Sequence, residues 1–168
     1  RDLLPDIRTD FGELQSAKPD LLTLEAALHF IDRRTDVIIE IKPGVDIGPG
    51  AAAIEPRVMA SWLESDIIIS SFDFNILKLL HEKFPNIQVA VNERWSGVRA
   101  GRRARALGTL RIMMNQRWLW TGFIRAAHKS GYKLSAYTIN NPNKAKRWAK
   151  AGLYGCVTDY PDRFNTKS

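Results

Sequence analysis

The sequence predicts an α/β domain built on a parallel sheet, and three observations carry that prediction. Short runs rich in Ile, Val and Ala recur along the chain, the composition and length of buried strands. Each run but the last is followed by a stretch with apolar residues at helical spacing. Gly, Pro, Asn and Asp separate the two kinds of segment. Strands alternating with helices need crossover connections, which are right-handed and make the sheet parallel.

Residues 1–20 are polar, contain Pro5 and Pro19, and read as a connector. Thr23 has the character of an N-cap, and Leu24, Leu28 and Ile31 fall on one face, predicting a helix over 23–34. The β-branched run 37–42 is a strand ended by Pro43 and Gly44. A loop over 43–50 and a helix over 51–64, disturbed near Pro56, should follow. The same rhythm then continues, with strands at 66–71, 87–92, 110–115, 133–139 and 155–158. Helices are expected at 74–84, stopped by Pro85, and at 97–107, 119–130 and 141–151. Gly131 and Gly152 stand where helices commonly end.

Six strands and no internal linker over 21–164 make the chain a single domain, with 165–168 as a tail. Two architectures fit: an open doubly wound sheet, or a TIM-type (β/α) barrel that is incomplete, with about six of its eight units. No Gly-x-Gly-x-x-Gly follows a strand, which disfavours dinucleotide binding.

Composition sets outer limits. Hydrophobic residues make up 45% and charged residues 26% of the chain, ordinary values for a globular domain. The apolar runs are far too short to cross a bilayer. The one cysteine, Cys156, can form neither an internal disulfide nor a cysteine metal cluster. A reducing, cytoplasmic location is the expectation. The net charge of +7 favours anionic partners without choosing among them. The start, Arg1-Asp2-Leu3-Leu4-Pro5, is neither an initiator methionine nor a secretion signal, so the chain is expected to begin within a longer protein.

The working face of a parallel α/β fold lies at the carboxyl ends of its strands. Those ends carry Glu40 and Lys42, Ser71, Asn92 and Glu93, Asn115, Asn140, Thr158 and Asp159. Capping and turn formation explain most of this ring, Asp73 and Asn141 included. Glu40 and Lys42 stand apart. Residues two apart in a strand share a face, so Val37, Ile39 and Ile41 pack beneath helices while Ile38, Glu40 and Lys42 point inward. Inward charges are costly unless paired or bound to something. A mutual ion pair is one reading; a metal- or phosphate-binding mouth is the other, and Glu40 alone is too few oxygens for a hard cation.

The remaining chemistry-bearing residues read as structural. His29, His81 and His128 fall within helices, and Cys156 lies in an apolar strand. Arg94, Arg99, Arg102, Arg103, Arg105 and Arg111, with Trp95 nearby, suit nucleic acid or acidic lipid. Yet Val98, Gly101, Ala104 and Leu107 are spaced as a thin buried stripe, which makes the arginines a solvated face. Trp62, Trp118, Trp120 and Trp148 are expected to pack between helix and sheet, with Trp118 or Trp120 free to line a substrate mouth.

Five motifs, in order, resemble the glycerophosphodiester phosphodiesterases. They are Leu22-Thr23-Leu24-Glu25-Ala26-Ala27-Leu28, Ile39-Glu40-Ile41-Lys42, Ser71-Phe72, Gly131 with Tyr137-Thr138-Ile139-Asn140, and Gly155-Cys156-Val157-Thr158-Asp159-Tyr160-Pro161. Tyr137 stands where that family most often has tryptophan. The resemblance implies the barrel, and hydrolysis of glycerophosphodiesters to glycerol 3-phosphate and an alcohol with a divalent cation, Ca2+ or Mg2+. It implies Glu40 as catalytic and metal-binding and Lys42 as catalytic and phosphate-binding; Tyr137, and Trp118 from its place after a strand end, are expected to bind substrate. The family's acid/base histidines and Glu-x-Asp metal pair have no counterpart before Glu40, so the chain alone is expected to be inactive. An incomplete barrel exposes sheet edges and favours self-association. Two alternatives stay open: a noncatalytic α/β module that binds an anionic partner through its basic surface, nucleic acid being the less expected partner, and a related phospholipase D acting on lysophospholipids.

Overall fold

Among the described residues six strands lie side by side in chain order, and every neighbouring pair is parallel. The computed structural model describes residues 24–44, 62 and 66–164. The strands are β1 (Val37–Ile41), β2 (Ile67–Ser71), β3 (Gln88–Glu93), β4 (Arg111–Asn115), β5 (Lys133–Tyr137) and β6 (Gly155–Cys156). Helices α2 (Phe74–Lys83), α3 (Gly97–Ala106), α4 (Thr121–Lys129) and α5 (Pro142–Ala149) connect the strands from β2 onward. The predicted helix at 51–64, Trp62 apart, the connector at 1–20, the Thr23 cap and the tail lie outside the described residues.

The chain divides into two units, Arg1–Thr35 and Asp36–Ser168. Within the first, helix α1 (Leu24–Ile31) is shorter than its spacing predicts. Asp32 and Arg33 adopt positive φ, 47° and 56°, where a right-handed helix cannot continue. The Arg34 guanidinium donates back to the Phe30 and Ile31 carbonyls of the last turn.

In the second unit, alternation along each strand sorts the residues. Val89 and Val91 of β3, Ile112 and Met114 of β4, and Leu134 and Ala136 of β5 are buried in one cluster with Leu77, Ile124 and Trp148 of the helices. The opposite face carries Ile38, Ser70, Asn92, Met113 and Tyr137, which line one cavity together with Val157, just after β6. Residues from the first strand and from beyond the last meet around that space, so the sheet is curled into a half-barrel. Helix ends follow local chemistry. Asp73 and Asn141 cap α2 and α5 through their side chains. Gly131 (φ 81°) closes α4, with the Tyr132 N–H donating to the Ala127 carbonyl.

Three expectations need correction. Val98 is 73% exposed; the buried stripe of α3 is Ala100, Gly101 and Ala104, with Leu107 following. Trp62 and Trp148 are buried as expected, whereas Trp118 and Trp120 are exposed, because a 3-10 turn (Gln116–Trp118) follows β4 and α4 begins only at Thr121. Strand β5 stops at Tyr137, although Ile139 is still fully buried.

Gly152 makes a testable point about packing. Its φ is 101°, and a Cβ there would lie 2.6 Å from the His128 Cβ. Gly152→Ala combines backbone strain with a clash against another side chain's root, so urea unfolding should show a loss of about 1–3 kcal/mol. An unchanged midpoint would refute this account of the α4–α5 packing.

Candidate functional site

The half-barrel opens at the carboxyl ends of its strands into two adjoining cavities. One, of about 470 Å³, is lined by Ile38, Glu40, Lys42, Ser70, Phe72, Asn92, Met113, Tyr137, Thr138 and Val157. The other, of about 370 Å³, shares Glu40, Lys42, Phe72 and Asn92 and adds Pro43, Glu93, Arg94, Trp95, Arg99 and Arg103. The four shared residues make the two cavities one mouth.

Glu40 and Lys42 lie on the inward face, as their two-residue spacing predicts. The Lys42 ammonium donates to Glu40 Oε1 at 2.8 Å, and the two side chains are 71% and 34% exposed. An ion pair this open contributes about 0–1 kcal/mol at most. The predicted pair therefore exists, but stability does not account for its position.

Glu93 is the organising residue, and it points the other way. Counting along β3 places it with Val89 and Val91 on the helix side, where it is 2% exposed. Arg99 of α3 grips both carboxylate oxygens at 2.6 Å, and the amides of Arg94 and Trp95 donate to Oε1 at 2.9 Å. Arg103 adds its charge at 3.8 Å and reaches the Phe72 carbonyl. Burial pushes the Glu93 carboxyl up, but the Arg99 hydrogen bonds, the amides and the Arg99 charge outweigh it and hold the group at about 2. Arg99, though 49% exposed, and Arg103 are thus more than a solvated face: both pair with Glu93. The sequence signal was available: a carboxylate in register with two buried valines, followed by arginines one helical turn apart.

Tyr137 donates its hydroxyl proton to the Glu93 carbonyl at 2.9 Å and meets Phe72 edge-on at 6.0 Å. Burial pushes its hydroxyl up to about 12, aided by Glu93 and Glu40 and opposed by Arg94. It is a neutral wall of the cavity. Trp118 lies outside both cavities and packs edge-to-face on Trp95 at 5.8 Å. Asn92 is 4% exposed, and its Oδ1 has no hydrogen-bond partner, an unspent acceptor at the centre of the mouth.

The rest of the polar ring is structural. Ser71 donates to the Ile41 carbonyl and accepts the Asp73 amide; Asn115 caps the 3-10 turn. Asn140 ties down the segment after β6, accepting from the Thr158 hydroxyl and the Asp159 amide. His81 and His128 sit on α2 and α4 and line neither cavity, and His29 sits on α1 of the first unit. Cys156 is half-buried and burial pushes its thiol up.

A divalent cation wants several oxygen ligands. Among the described residues no three His, Cys, Asp or Glu side chains come together, and Glu93 is committed to Arg99. Glu40 is the one carboxylate facing the first cavity, so the described residues do not by themselves fit the expected Ca2+ or Mg2+.

The family model described as the glycerophosphoryl diester phosphodiesterase family matches residues 5–163. The chain is 29% identical over 147 residues to the Bacillus subtilis protein YhdW, whose name assigns it provisionally as a glycerophosphodiester phosphodiesterase. It is 25% identical over 159 residues to the glycerophosphodiester phosphodiesterase of Caldanaerobacter subterraneus. These alignments cover 83% and 94% of this chain but 59% and 65% of the relatives. A phosphodiesterase of Oleispira antarctica, solved with its product sn-glycerol-3-phosphate, superposes with a TM-score of 0.75 at 22% identity, over 86% of this chain and 60% of that one. That likeness bears out the barrel fold.

The Glu93 cluster predicts an acid response. Its carboxyl lies below the ordinary 4.5, at about 2, so its stabilisation is complete above pH 4.5 and is lost as pH falls toward 2. Glu93→Gln should lose roughly 2–3 kcal/mol at pH 7, and less as the pH falls. Urea unfolding of both proteins at pH 7 and pH 3 checks this; an equal difference at the two values would refute it.

Proposed function

The chain belongs to the glycerophosphoryl diester phosphodiesterase family, and on that premise we propose that it supplies the phosphate-binding side of an enzyme that hydrolyses glycerophosphodiesters. A water oxygen joins phosphorus, the bond from phosphorus to the alcohol oxygen breaks, and the alcohol oxygen takes a proton. Glycerol 3-phosphate and an alcohol result. The observation that carries this reading is the inward Glu40–Lys42 pair in a cavity of about 470 Å³.

Each lining residue has a task in it. The Lys42 ammonium offsets the charge that grows on the phosphoryl oxygens, and Glu40, bonded to that ammonium, fixes its position. Asn92 Oδ1 accepts from a glycerol hydroxyl, which completes its unspent hydrogen bond. Phe72 and Tyr137 wall the carbon chain. The described lining of the mouth contains no histidine to serve in an acid/base pair, and the cation's other ligands are not among these residues. The 168-residue chain alone is accordingly inactive. Its single unpaired cysteine suits the reducing, cytoplasmic compartment expected from composition.

Two experiments test this reading. Glycerol 3-phosphate should bind the chain in an NMR titration, and Lys42→Met should weaken binding about tenfold; equal binding by the variant would remove Lys42 from the site. Glycerophosphocholine should remain intact in the chain's presence, and hydrolysis that disappears with Glu40→Gln would overturn the claim of inactivity. In the described sheet β1 and β6 each pair on one side only, and we expect light scattering to report self-association; a stable monomer would overturn it.

A further inference from the structure

Beside the mouth, four large apolar side chains face solvent on one rim. Trp95, Val98, Trp118 and Trp120 are 58%, 73%, 46% and 63% exposed. Single exposed apolar residues are ordinary, but a contiguous group marks an interaction surface. These are contiguous. Trp95 and Trp118 meet edge-to-face, and Trp120 packs on Phe123 with ring centroids 5.4 Å apart. Gly97, which precedes Val98, joins the two pairs: a Cβ there would lie 2.4 Å from the Phe123 ring, so the start of α3 rests directly on α4.

The charge around this rim has one sign. From 94 to 158 the chain contains nine arginines and five lysines and no aspartate or glutamate. Arg94 and Arg117 flank the tryptophans, are exposed, and pair with no carboxylate among the described residues. The rim is built on the segments that follow β3 and β4, the central strands, so a segment extending the sheet at β1 or β6 would not pair across it.

From this juxtaposition we infer that the rim docks on the surface of an anionic phospholipid bilayer, with the mouth facing the headgroups. Tryptophan suits the membrane–water interface because its body is apolar and its N–H is polar. Arginines beside it meet the negative surface potential, at about 1 kcal/mol each. Across a two-fold axis the same surface would set arginines against arginines, which disfavours a second copy of this chain as the partner. Val98 offers nothing to a nucleic acid, which would engage the arginines and stacked rings alone. The described residues include no helix long and apolar enough to span the bilayer. The inference is independent of which alcohol the site releases.

Co-sedimentation of the protein with vesicles tests it. Binding is expected to phosphatidylcholine vesicles containing phosphatidylglycerol and not to phosphatidylcholine alone, to fall with added salt, and to shift tryptophan emission to the blue. Val98→Asp combined with Trp120→Ala should weaken vesicle binding about tenfold. Both positions are exposed, and an unchanged urea midpoint would confirm that the variant is folded; Arg117→Glu provides a second variant, expected to weaken binding to a similar extent. Absence of binding to the phosphatidylglycerol vesicles, equal binding by the folded variants, or tighter binding to a DNA duplex at the same salt would overturn the inference.

Discussion

A buried carboxylate gripped by one guanidinium sets the geometry of the mouth. Glu93 ends β3 on the side that faces α3, and Arg99 closes on it with two short hydrogen bonds. The same carboxylate holds the amides of the turn that follows, and Tyr137 from β5 fastens to its carbonyl. One residue thereby fixes the turn carrying Arg94 and Trp95, the pitch of α3 and one wall of the cavity. An unpaired charge at this depth would be strongly destabilising. That cost keeps the arrangement intact.

On the inner face the logic is reversed. Glu40 and Lys42 are joined by a bond of similar length, yet both reach solvent, so their attraction adds little to the fold. Two ion pairs a few strands apart thus have different consequences. The buried one orders the walls, while the open one leaves an ammonium and a carboxylate beside an acceptor on Asn92 that no protein group occupies.

Much of this was legible in the sequence because it depends on local rules. The period of two in β1 put Glu40 and Lys42 inward, and the turn residues marked where strands gave way to helices. What escaped depends on contacts between distant segments. Arg99 reads as a surface residue of α3 until β3 brings Glu93 beneath it. Trp118 and Trp120 read as core because aromatic residues usually are, yet the 3-10 turn after β4 swings them outward. Helix α1 stops early through two left-handed residues that hydrophobic spacing does not register. The family resemblance supplied roles for Glu40 and Lys42 but nothing about the rim, which lies outside the motifs that carry it.

The chain-order sheet has a consequence for how the molecule forms. Among the described residues each strand pairs with its neighbours in chain order, so each new crossover closes a short loop onto an existing template. Long-range searches are thereby avoided, and topology of this kind keeps contact order low for a parallel sheet. Growth is sequential: the backbone groups along a finished edge wait for the next segment, as a zipper waits for its following tooth.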